Sequence, residues 1–99
     1  MEADTFCLQG LDHIQMAMPI GQEARARAFY TGILGLLEIP KPAILAVRGG
    51  VWFACGPIQV HLGGELDFRP AKKAHPAFCV HHLMGLLTLC EAANIAVQP

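Results

Sequence analysis

Leu11-Asp-His-Ile-Gln-Met-Ala-Met18 is the stretch of sequence from which the fold can be worked out. Its larger apolar residues recur at every second position, which is typical of a β-strand with one face turned toward a core. A turn follows at residues 19–21, and the apolar spacing after it predicts a helix over residues 22–33. Gly35 supplies a left-handed stop for that helix, and a short strand is predicted over residues 36–39.

The same plan recurs in the last quarter of the chain. A strand is predicted over residues 75–80, and leucines at helical spacing predict a helix over residues 82–93. Asn94 then takes the place that Gly35 holds in the first copy, and a short strand is predicted over residues 95–98. The chain therefore contains two copies of a strand–helix–strand unit.

Three apolar runs separate the two copies, at residues 41–48, 50–55 and 58–62. Glycine and proline mark the turns between these runs. Two of the runs are expected to pair as a hairpin and complete a four-stranded unit with the first copy. In the second copy the matching pair of strands would follow Pro99, so this copy lacks its last two strands.

These elements predict an α+β fold of paired βαβββ modules, with a curved mixed sheet and the helices on its outside. The whole chain, residues 1–99, is expected to form a single domain. Its predicted parts are a first module at residues 10–64, a linker at residues 65–74 and an incomplete second module at residues 75–99.

The composition limits the partners of this domain. Hydrophobic residues make up 54% and charged residues 15% of the chain, against about 45–50% and about 25% in typical proteins. We therefore expect a second copy to cover part of the surface in a homodimer. A net charge of −1 gives no electrostatic attraction to nucleic acid or to an anionic membrane.

The expected location is the cytoplasm. The chain begins without a basic and then apolar leader, and its apolar stretches are too short to span a bilayer. Its four cysteines are scattered, without the spacing of a disulfide framework or of a zinc site. Free thiols in a reducing compartment fit this pattern.

Three histidines occupy the more polar side of predicted strands. In each case the neighbouring residues, which carry the larger apolar side chains, point the opposite way; these histidines are His13, His61 and His75. A single histidine on a strand is more often structural or exposed than a ligand. Three histidines that all lie on the more polar side of their strands predict a shared divalent metal site, because neutral imidazole suits Zn, Ni, Fe or Mn(II).

Two motifs resemble the opening of the vicinal oxygen chelate superfamily, namely Leu11-Asp-His-Ile-Gln15 and Ala28-Phe-Tyr-Thr-Gly-Ile-Leu-Gly-Leu36. That superfamily includes glyoxalase I, type I extradiol dioxygenases and bleomycin-binding resistance proteins. Residues 50–56, 59–63 and 67–76 are similar to a group of short bacterial glyoxalase-like proteins. The resemblance covers nearly the whole chain from Leu11.

The resemblance implies a metal role for the same histidines. His13 and His75 match ligands on the first strands of the two modules, and His61 stands where glyoxalase I has a Glu or another ligand. The last ligand of the family, usually Glu, would follow Pro99. The chain as given is therefore expected to supply an incomplete set of metal ligands. A metal is bound here with a further donor, or it is absent. No catalytic acid or base is assigned.

Two functions remain open at this point. The first is a metal-dependent lyase, isomerase or dioxygenase that chelates two oxygens of a small cytosolic substrate, with Gln15, Trp52 and Arg69 binding that substrate. The second is a metal-free, dimeric small-molecule-binding module of the bleomycin-resistance type. In that case aromatic side chains, among them Trp52, Phe53 and Phe68, line the hollow. Stoichiometric metal would favour the first function.

Overall fold

The computed structural model describes residues 5–98 of the chain. The strands are β1 (Ile14–Pro19), β2 (Leu37–Ile39), β3 (Val51–Cys55) and β4 (Ile58–Glu65), and the helices are α1 (Glu23–Tyr30), α2 (Ala43–Ala46) and α3 (Leu83–Ala92). The four strands form one sheet in the order β1-β4-β3-β2. Strand β1 is parallel to β4, whereas the other neighbours are antiparallel. This mixed sheet confirms the predicted α+β fold class and its βαβββ pattern.

The sequence explains how β1 leads into α1. Met18 is buried on one side of β1, and Gly21 adopts a positive φ of 81° in the turn that follows. In the helix, Ala26 is buried toward the sheet, while Glu23 lies in the first turn and Arg27 in the last. Acidic and basic residues at those ends complement the helix dipole.

The core lies between the sheet and α1. Seven buried residues form it: Met18, Ala26, Leu36, Val51, Phe53, Val60 and Leu62. Phe53 is fully buried, and Tyr30 of α1 stacks on it with 5.3 Å between the ring centroids. Full burial of one such side chain contributes about 1.5–3 kcal/mol. One face of the sheet is thereby covered, and the opposite face carries no part of this core.

The helix predicted over residues 22–33 ends at Tyr30. After it the chain forms a wide turn in which the N–H groups of Gly32 and Leu34 bond to carbonyls five residues earlier. Gly35 then has the expected positive φ, at 76°. The left-handed stop is therefore confirmed, while the helix before it is one turn shorter than predicted.

Two predictions for the second copy are wrong. Residues 75–80 and 95–98 form no strand, and α3 is the regular element of that region. A strand needs a neighbour that accepts and donates its backbone hydrogen bonds. Within residues 5–98 the sheet ends at β1, with nothing paired beyond it. The period-two pattern alone is not sufficient to form a strand there.

The other elements follow the sequence more closely. The runs at residues 50–55 and 58–62 pair as the hairpin β3–β4, whereas Ala43–Ala46 of the first run forms the short helix α2. Helix α3 matches its prediction to within a residue at each end, and Asn94 ends it with a φ of 57°. Over residues 5–98, no helix is long and apolar enough to cross a membrane.

Candidate functional site

One row of side chains crosses the sheet on the face opposite the core. The strand register places Gln15 of β1 beside His61 of β4, His61 beside Trp52 of β3, and Trp52 beside Ile39 of β2. Because side chains alternate along a strand, this row points away from the buried core residues next to it. We call this side of the sheet the open face.

Three rings from the open face stack on one another. The imidazole of His61 lies against the indole of Trp52, with ring centroids 3.8 Å apart and planes inclined by 5°. The imidazole of His13 covers its other side, at 4.1 Å and 15°. His61 is therefore only 4% exposed, although helix α1 lies on the far side of the sheet. These three residues are called the ring stack below.

Each imidazole of the ring stack has one nitrogen engaged by a neighbour. Nδ1 of His13 donates to Oδ2 of Asp12 at 2.8 Å, because a carboxylate can only accept. Nε2 of His61 donates to Oε1 of Gln59 at 3.1 Å. Nε2 of His13 and Nδ1 of His61 are therefore the ring nitrogens that take no part in these two hydrogen bonds.

The environment keeps His61 neutral. Burial lowers the pKa of His61 below its ordinary value of 6.5, and electrostatic repulsion by His13 and Lys41 lowers it further, against the opposite effect of Asp12. A neutral imidazole with its proton on Nε2 has a lone pair on Nδ1. The ring can therefore accept a hydrogen bond or act as a ligand at neutral pH.

The third predicted ligand lies outside the ring stack. Nδ1 of His75 donates to the carbonyl of Lys73 at 2.7 Å. His75 lines a groove of about 720 Å³ between the edge strand β1 and residues 68–76, which we call the edge groove. The structure thus brings together His13 and His61 and leaves His75 apart from their contact.

The described residues by themselves do not fit a divalent metal centre. Within residues 5–98, no three His, Cys, Asp or Glu side chains come together in a way that could hold an ion. The lone pair of an imidazole lies in its ring plane, so two nearly parallel rings do not aim both lone pairs at an ion between them. The assignment of the three histidines as metal ligands stays a prediction.

The predicted substrate-binding residues also divide between two places. Gln15 and Trp52 line one pocket on the open face, and Gln15 also lines the edge groove. Arg69 lies instead in the edge groove, with its side chain 82% exposed and 3.4 Å from Asp67. Phe53 is wrong as a lining residue of the alternative hollow, because it points into the core; Phe68 is half-buried and lines the edge groove.

The pocket beside the ring stack was not predicted from the sequence. It has a volume of about 330 Å³, and the residues that characterise it are Gln15, Lys41, Leu45, Arg48, Trp52 and Gly63. We call it the basic pocket. The sequence signal that could have indicated this pocket is the presence of a cation at each end of the run at residues 41–48. The short helix α2 lies within this run.

The comparisons with known proteins agree with this architecture. No family model and no curated protein matches the chain. A crystal structure of a protein from Bacillus anthracis that is assigned to the glyoxalase family superposes with a TM-score of 0.84 at 46% sequence identity, over 91% of this chain and 74% of that one. This chain belongs to the glyoxalase family. The expected resemblance to the vicinal oxygen chelate superfamily is confirmed.

The fold is also similar to that of a solved structure with a much lower sequence identity. A glyoxalase/dioxygenase from Nostoc punctiforme superposes with a TM-score of 0.61 at 20% identity, over 96% of this chain and 80% of that one. At this identity the likeness concerns the fold alone. The activity of the present glyoxalase-family chain therefore has to be argued from its own residues.

Proposed function

We propose that this glyoxalase-family chain binds a small molecule on the open face of its sheet, against the ring stack. The observation that carries the proposal is the contact of His61 with both Trp52 and His13, which gathers three rings from the open face into one surface. Ligand sites combine flat, apolar walls with a few polar groups that fix orientation, and the face of Trp52 that is not covered by His61 provides such a wall. A planar or amphipathic molecule suits this surface best.

The polar groups around the stack are suited to orienting such a molecule. Nδ1 of neutral His61 and Nε2 of neutral His13 are able to accept hydrogen bonds from a ligand, and the carboxamide of Gln15 can both donate and accept. Gln15 reaches across β4 at Gly63, where a Cβ atom would lie 2.8 Å from Nε2 of Gln15. The missing side chain at Gly63 thus makes room for the carboxamide on the open face.

A ligand screen with backbone NMR tests this proposal. Planar fragments that bind the full chain are expected to shift the amide signals of residues 52 and 59–63, none of which lines the edge groove. Trp52→Leu removes one wall and is expected to weaken these fragments at least roughly tenfold, or about 1.4 kcal/mol. Phe6→Leu, at a position 86% exposed, is the matched control. Binding confined to the edge groove would contradict the proposal.

Metal-dependent catalysis is the second candidate function, and the bond between Asp12 and His13 favours it. Ligating histidines usually donate their other nitrogen to a carboxylate or carbonyl, as His13 does. His13 and His61 would both act as donors only after their rings turn out of the stacked arrangement, and a further donor would have to come from outside their contact. A divalent metal, when bound, acts as a Lewis acid in lyase, isomerase or dioxygenase chemistry of this superfamily.

Metal content distinguishes the two candidates. Equilibrium dialysis of the untagged chain against Zn²⁺, Ni²⁺, Fe²⁺ and Mn²⁺, followed by elemental analysis, measures the stoichiometry. If the second candidate holds, His13→Gln and His61→Gln each abolish uptake, while the exposed control His81→Gln does not. Loss of uptake in His75→Gln would add His75 to the ligand set. No uptake by the wild type would leave metal-free binding as the function.

A further inference from the structure

Two positively charged side chains line the basic pocket. Among residues 5–98 its lining includes Lys41 and Arg48 and no Asp or Glu. Within residues 5–98 the ion pairs join His13 to Asp12, Arg27 to Glu38 and Arg69 to Asp67, so Arg48 takes part in none of them. Two cations in one concave site attract an anion and repel another cation, and they give an anion an attraction that a neutral molecule of the same shape lacks.

The two cations are held differently. Nζ of Lys41 donates to the carbonyl of Gly49, which fixes this ammonium at the rim of the pocket. The carboxylate of Glu23 interacts electrostatically with Lys41, and its Oε2 already accepts the N–H of Gly50 at 2.9 Å. The side chain of Arg48 has no ion-pair partner among the described residues, and its planar guanidinium can offer two parallel N–H groups to an oxyanion.

The walls of the basic pocket connect it to the ring stack. Trp52 lines the pocket and also stacks on His61. Gln15 lines the opposite side beside Gly63 and shares its sheet row with the same histidine. A molecule whose charged end lies between Lys41 and Arg48 would therefore extend its body along Trp52.

We propose that the basic pocket binds the oxyanion end of a small organic acid, while the planar part of that acid lies against Trp52. This inference rests on the proposed function and names its substrate class. Arg48 is the main specificity-determining residue, because it is the cation without a partner in the described chain. Carboxylates and phosphoryl groups share the required chemistry.

Fluorescence of the full chain tests this inference, because Trp52 is its single tryptophan. Benzoate, phenylphosphonate and the neutral isostere benzamide are titrated while the emission of Trp52 is followed. Benzoate or phenylphosphonate is expected to bind at least roughly tenfold more tightly than benzamide, as a charge-assisted contact requires. Tighter binding of one of the two acids identifies the preferred oxyanion.

Arg48→Gln is expected to remove this preference for the acids without changing the affinity for benzamide. Arg69→Gln is the matched control, because Arg69 is exposed, pairs with Asp67 and lies in the edge groove. Equal affinities of the acids and benzamide, or full preference in Arg48→Gln, would overturn the inference. If neutral fragments still map to the open face, the proposed function survives that result; if none does, both fail.

Discussion

The indole of Trp52 and the imidazole of His61 lie face to face, 3.8 Å apart between ring centroids. The two residues are direct cross-strand partners on β3 and β4, strands that are normally about 4.8 Å apart. The rings therefore lean toward each other instead of standing apart. Together with His13 on the other side, this contact buries a polar side chain on the face opposite the core.

The first prediction concerns the pH dependence of stability. Because burial lowers the pKa of His61 in the folded chain, the unfolded chain takes up a proton at this residue first as the pH falls below 6.5. The free energy of unfolding is therefore expected to decrease between about pH 6.5 and the lower pKa of the folded state. Urea denaturation at a series of pH values measures this slope.

Replacement of the titrating ring provides the control for that slope. His61→Phe keeps a ring between Trp52 and His13 without a titrating group, so part of the pH dependence is expected to disappear. His81→Gln, at an exposed position, should retain the wild-type slope. An identical slope in His61→Phe and the wild type would show that His61 does not have a lowered pKa.

The second prediction concerns the core. Phe53 is 0% exposed and stacks on Tyr30, so Phe53→Ala is expected to reduce the free energy of unfolding by about 3–5 kcal/mol. Phe6→Ala removes the same ring at a position that is 86% exposed and should change stability by less than about 0.5 kcal/mol. Similar losses in both variants, measured by urea denaturation, would contradict the placement of the core.

The third prediction concerns the turn before β3. Gly50 has a φ of 87°, and a Cβ atom there would collide with the carbonyl oxygen of Leu62. Gly21 has a similar φ of 81° with nothing within 4 Å of its Cβ position. Gly21→Ala is expected to cost about 1–2 kcal/mol from its backbone conformation alone. Gly50→Ala should cost distinctly more, and equal costs in the two variants would disprove the close approach to Leu62.

The fourth prediction concerns assembly. The radius of gyration is 16.0 Å, compared with about 13 Å for a compact domain of this length. Large apolar side chains are also exposed after the sheet, among them Leu66 at 93% and Met84 at 67%. We expect a homodimer by size-exclusion chromatography with light scattering, because a second copy would cover such surface. A monomer mass at high micromolar concentration would contradict this expectation.

The first half of the fold was predictable because its patterns have partners in the structure. The alternation in residues 14–19 and the apolar helix positions bury one common face, so the local pattern and the core agree. The strands predicted at residues 75–80 and 95–98 had the same kind of pattern. They fail because strand pairing is a long-range condition that alternation does not encode.

For the candidate site, the sequence predicted only the face of the sheet on which its residues lie. Alternation correctly put His13, Gln15 and His61 opposite the core, and the register then brought the two histidines together. It did not reveal the lateral stacking on Trp52, since cross-strand neighbours depend on register. The basic pocket depended on a four-residue helix within an apolar run, for which the sequence has no distinctive period.

Imidazole-nitrogen NMR of the histidines tests the central claim most directly, because it observes the ring stack as a single site. At pH 7 we predict His61 with its proton on Nε2 and His13 with a proton on Nδ1, and a planar ligand should shift both rings while His75 stays unchanged. A proton on Nδ1 of His61, or ligand shifts at His75 without shifts at His13 and His61, would contradict the account.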